Sequence, residues 1–156
     1  MLIAPPSLSK PYTEFYSRDP ALLQLPENAD EKTETLYAER RARARETGDW
    51  GELLVAGATP TAFSFVALKG DHYRTLMSMF ESDQIGTPQL FQLTFRCALV
   101  KIENAGDLRV TPEQHPRLGT IAASSVTDAL DAIDVKIVNE LGSLILNRAR
   151  GLAPHR

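Results

Sequence analysis

Histidine, cysteine and paired carboxylates are the side chains from which small proteins usually build a reaction centre, and this chain is sparing with them. Of its three histidines, only His72 follows a carboxylate, Asp71, at the start of an expected helix. An imidazole beside a carboxylate can form an acid–base pair. A small enzyme with a site around Asp71 and His72 is therefore one reading, and a partly exposed structural histidine is the other. His115 stands before Pro116 in a turn and His155 among the last residues, with no zinc-pair spacing between any two. Cys97 is the single cysteine, so this chain alone cannot close a disulfide or build a cysteine-based zinc site. Its apolar neighbours mark it as a small buried hydrophobe.

Asp128, Asp131 and Asp134 recur at every third position and could be imagined around a cation. A calcium loop needs a glycine-bearing turn and about six oxygens, whereas capping two successive helices accounts for Asp128 and Asp134 without any ion. Ser124-Ser125 lacks the nucleophile elbow, and no phosphate-cradling glycine loop is present. No cofactor, metal or catalysis is expected.

The most concentrated charge is Arg40, Arg41, Arg43 and Arg45. These four could contact the phosphates of a nucleic acid. Glu34, Glu39 and Glu46 interleave with them, and pairs at helical spacing such as Glu39–Arg43 would give a self-neutralising surface. No aromatic cluster accompanies them to stack bases. The whole chain carries a net charge of only −3, which does not single out nucleic acid or an anionic membrane. No run is apolar enough to span a bilayer. The start, Met1 to Pro6, meets two prolines where a signal peptide would need an apolar stretch. The expected location is the cytosol.

These residues must be held by elements that the pattern largely discloses. Glu31 to Thr47 reads as a peripheral helix, N-capped by Asp30, stopped at Gly48, and anchored by a narrow stripe of Leu36, Tyr37 and alanines. After a Gly-Asp-Trp-Gly turn, Leu53–Val55 and Ala62–Leu68 read as the two strands of a β-hairpin. A helix follows over His72–Glu81 with Tyr73, Leu76, Met77 and Phe80 on one face. Between Gln89 and Glu103 apolar alternation suggests a strand, but the polar residues fall on one helical stripe, and Thr87-Pro88 offers a start. A central helix is expected throughout. The segment 107–119 reads as turns with at most one helical turn. Ser125 to about Ile133 and Val135–Arg150 read as two final helices. The expected class is α+β, mainly helical, with four to five helices, one small hairpin and an extended N-terminal arm. The domain boundaries are an arm over 1–29, a globular domain over 30–151 and a tail over 152–156.

That arm holds five of the ten prolines, so it should run extended, with one short turn at Asp19–Leu22. It is richer in Leu, Tyr and Phe than a free tail tolerates. Tyr12, Phe15, Tyr16, Leu22 and Leu23, with Trp50, are accordingly expected to anchor a protein partner, since aromatic side chains dominate interfaces.

The segment Pro60 to Leu68, followed by a helix and then Phe95 to Asn104, resembles small tailed-bacteriophage proteins of the tail-assembly-chaperone or minor structural kind. Ile137 to Gly142 fits the same pattern. The resemblance implies assembly through contacts with other subunits, virion components or further copies of itself, and with it a location in the host cytoplasm or a virion.

Overall fold

The computed structural model describes residues 10–106, 109–123 and 135–151. It is α+β, with four helices and two small antiparallel sheets among those residues. The helix expected between Ser125 and Ile133, the three aspartates near it, His155 and the tail lie outside them.

Strand β1 (Tyr12–Glu14) comes from the arm and pairs with β2 (Ala62–Phe65), which pairs in turn with β3 (Leu99–Glu103). Every residue of β2 is buried, as a central strand covered on both faces must be. Phe63 and Phe65 point one way and meet Phe95 edge-on, at ring distances of 5.9 and 5.4 Å. Ala62 points the other way, into a cluster with Phe15, Leu22, Ala44, Trp50 and Leu53.

Helix α1 (Glu31–Thr47) begins where expected: the Asp30 carboxylate accepts from the Thr33 N–H at 2.8 Å. It ends on Gly48 at φ 78°, a left-handed conformation that favours glycine. Helices α2 (Gly70–Glu81) and α3 (Thr87–Ala98) follow, then the hairpin β4 (Pro112–His115) and β5 (Gly119–Ala122). Helix α4 (Val135–Gly151) closes the fold. It crosses α3 so tightly that a Cβ on Gly142 would stand 2.2 Å from the Phe91 carbonyl oxygen. Val138, Leu141 and Ile145 of α4 reach the phenylalanine trio. Leu146 joins Leu76, Leu90 and Leu118 in a second cluster.

Four expectations are corrected. Leu53–Val55 is not the partner of Ala62–Leu68: Gly51–Leu53 makes a 3-10 turn, and Leu54 bridges back to Leu22. Residues 89–103 split into helix to Ala98 and strand from Leu99, because β2 offers an edge that only the strand can use. The segment 112–122 is a hairpin, not a helical turn. Leu36, placed on the buried stripe of α1, is 46% exposed, and Ala44 is the buried residue of that helix.

Candidate partner-binding groove

The arm is built into the fold from Tyr12 onward. β1 supplies ladder bonds to β2. Asp19 turns the chain as expected, its carbonyl accepting from the Leu22 N–H at 2.9 Å. The Asp19 carboxylate accepts from the N–H groups of Ala21 and Thr61, at 2.9 and 3.1 Å, tying the turn to the residue before β2. Ala21 and Leu23 then exchange backbone bonds with Val55 and Leu53 at 2.8 Å.

This integration decides the fate of the expected anchors. Phe15, Leu22 and Trp50 are buried in the chain's own core, with Trp50 edge-on to Phe15 at 4.8 Å. They have no surface left to offer a partner. Tyr12 and Tyr16 are half-buried, and the Arg148 guanidinium lies over the Tyr12 ring at 4.4 Å. Burial drives the Tyr12 pKa up to about 12, with Arg148 opposing and Glu14 assisting. Leu23 alone of the six is well exposed, at 48%.

Leu23 faces a groove between the 23–26 segment and α1. Leu25, Pro26, Leu36, Tyr37 and Leu53 line its apolar walls, with Arg40 and Glu52 also at its sides, and it holds about 200 Å³. A second hollow of about 230 Å³ shares Gln24, Leu25, Pro26 and Tyr37 and adds Arg18, Glu27 and Glu34. The Gln24 side chain stiffens the shared wall by donating to the Asp19 and Leu22 carbonyls, at 2.9 and 3.0 Å. Leucine in both walls, with charges of both signs around it, suits an amphipathic protein segment. Sequence reasoning found Leu23 and missed Leu25, Pro26, Leu36 and Tyr37. The available signal was α1 itself: a helix with so few apolar positions has no broad buried face to claim its leucine.

The arginine cluster divides. Arg41 and Arg45, one turn apart on α1, both reach the Glu14 carboxylate, Arg41 at 3.0 Å. Glu14 is 2% exposed. Arg41 also donates to the Phe15 carbonyl and lies 3.7 Å from Glu140 of α4. Two of the four arginines offered to nucleic acid are thus drawn inward to a buried carboxylate. Arg40 and Arg43 remain exposed, and two such cations are a meagre phosphate footprint.

At the other proposed site, His72 is half-buried and its Nε2 donates to the Leu118 carbonyl at 2.8 Å. Asp71 accepts from the His72 backbone N–H at 3.0 Å, not from its ring. The two side chains therefore do not form an acid–base pair. Among the described residues no three His, Cys, Asp or Glu side chains gather as metal ligands. Burial pushes the Cys97 thiol up to about 12, against the nearby Arg96 charge, so at neutral pH it is a poor nucleophile. Comparison with known protein families, curated proteins and solved structures finds no match.

Proposed function

We propose that this chain is a non-enzymatic assembly protein of the tailed-phage structural kind, and that it docks a partner subunit through the groove between Leu23 and Leu36. One observation carries the reading: two leucines from separate segments stand about half exposed on facing walls of one apolar cleft. Already half buried, each has about half of the roughly 1.5–3 kcal/mol of full burial left to gain when a partner covers it, or about 1 kcal/mol. The tailed-phage part of the reading rests on the resemblance of the Pro60 to Leu68 and Phe95 to Asn104 segments, and a partner segment of mixed charge would suit Arg40, Glu34 and Glu52.

The test is co-expression of the chain with each product of its neighbouring genes, read by light scattering after size exclusion. The double variant Leu23→Glu/Leu36→Glu should keep its melting temperature, because both side chains sit at the surface. It should weaken the complex by about 100-fold or more. A complex of unchanged affinity would reject the groove as the docking face.

A further inference from the structure

Two histidines from different elements converge on Leu118, at the tip of the β4–β5 hairpin. His72, in the first turn of α2, donates from Nε2 to the Leu118 carbonyl at 2.8 Å. On the hairpin itself, His115 Nδ1 accepts from the backbone N–H groups of Arg117 and Leu118, at 3.1 and 3.3 Å. Between these holds, the Leu118 side chain is buried in the cluster of Leu76, Met79, Leu90 and Leu146. The chain then turns through Gly119 at φ 76°, so both imidazoles bond to one short, sharp loop.

The two rings are chemically unequal. A donating Nε2–H exists in both protonation states of His72, so that bond does not depend on its charge. Nδ1 of His115 accepts only while it keeps its lone pair. An imidazolium carries N–H at both nitrogens and would confront two backbone donors with a third.

We propose that His115 is a proton-operated catch: protonation frees the Arg117–Leu118 turn and loosens Leu118 from its core cluster, while His72 keeps the tip tethered. The charged groups around the catch are Glu113 on the same strand, Arg117 in the turn, Arg96 from α3 and Asp71 beside His72 on α2. Glu113 is engaged by Arg96 at 2.6 Å and Arg117 by the Gln84 side chain at 2.8 Å. Burial first, then the Arg96 charge, hold the His115 pKa below its ordinary 6.5, with Glu113 opposing and Arg117 adding. The closed turn thus prefers the neutral ring, which gives acid its leverage.

The experiment is an NMR titration of the full chain from about pH 7.5 to about pH 5, the span in which histidines change charge. It follows the His115 ring signals and the hydrogen exchange of the Leu118 amide, corrected for intrinsic rate. The His115 midpoint should lie below 6.5. Between that midpoint and 6.5, opening at Leu118 should rise by up to about tenfold per pH unit, while Leu141 in α4 keeps its protection. His115→Asn retains a side-chain acceptor suited to a turn but cannot titrate, so its Leu118 protection should not respond to pH. A His115 midpoint at or above 6.5, or an equal acid response in His115→Asn, would overturn the proposal. If that variant does not fold, the wild-type midpoint and Leu118 exchange decide the matter.

Discussion

The α3–α4 crossing and the seat of α1 are both helix-packing problems, solved with opposite materials. At the crossing, a glycine admits the Phe91 backbone, and Leu141, Ile145 and Phe95 fill what remains. Close-packed carbon of this kind is insensitive to salt and pH. Helix α1 buries one alanine and is held by charge. Glu14 receives Arg41 and Arg45. Glu140 of α4 lies 3.7 Å from Arg41, and Glu46 pairs with Arg148 at 3.2 Å. Ion pairs that reach solvent weaken with salt. α1 is therefore the element expected to open independently of the core, and it also forms one wall of the groove.

Gly142→Ala should produce the largest effect. The added Cβ would overlap the Phe91 carbonyl, which is backbone and cannot swing aside. Separating the helices to admit it should cost about 2–3 kcal/mol, lowering the melting temperature by roughly 5–10 °C. Hydrogen exchange should accelerate throughout, since the crossing joins the two largest clusters. Unchanged stability would mean that the helices are not seated as tightly as this.

Glu14→Gln keeps the shape of the buried side chain and removes its charge. Breaking a fully buried pair costs about 3–5 kcal/mol; here both guanidiniums reach some solvent, and Arg41 keeps the Phe15 carbonyl. About 2 kcal/mol is expected. The loss should be local: amides of α1 should exchange faster while Leu141 and Ile145 hold. In the wild type, rising salt should move α1 in the same direction. Loss spread evenly over the chain would show that the charged seam belongs to the central core after all.

The sequence discloses the two regions unequally, for a physical reason. Helix ends are written locally, in a cap such as Asp30 or a stop such as Gly48, so α1, α2 and α4 are legible from the residues within them. Strand partners are not local. Ala62–Phe65 announces a strand, but its neighbours lie in the arm and beyond α3, and periodicity carries no address. The 89–103 ambiguity has the same origin: both periods are present, and the changeover at Leu99 is set by the β2 edge. Arg41 and Arg45 look self-neutralised within α1 because glutamates surround them, yet their partner is Glu14 on β1. The groove was half legible, through Leu23, since an extended apolar segment shows that something must cover it without showing which side chains its own fold will cover first.

The smallest predicted effect tests the edge of the charged seam. Arg148→Gln removes a guanidinium lying over Tyr12 and an ion pair with a largely exposed glutamate. Such contacts contribute about 0.5–1 kcal/mol together near neutral pH. The sharper signature is alkaline. Burial raises the Tyr12 pKa from 10.0 to about 12, so the unfolded chain loses this proton first. The stability Tyr12 contributes is complete below pH 10 and declines as pH rises toward about 12. Arg148 opposes that rise, because its positive charge favours the phenolate. Arg148→Gln should therefore move the folded Tyr12 midpoint higher still, seen by ultraviolet difference titration, while leaving the α3–α4 amides unaffected. A midpoint that stays put or falls would show that Arg148 does not act on the ring by its charge.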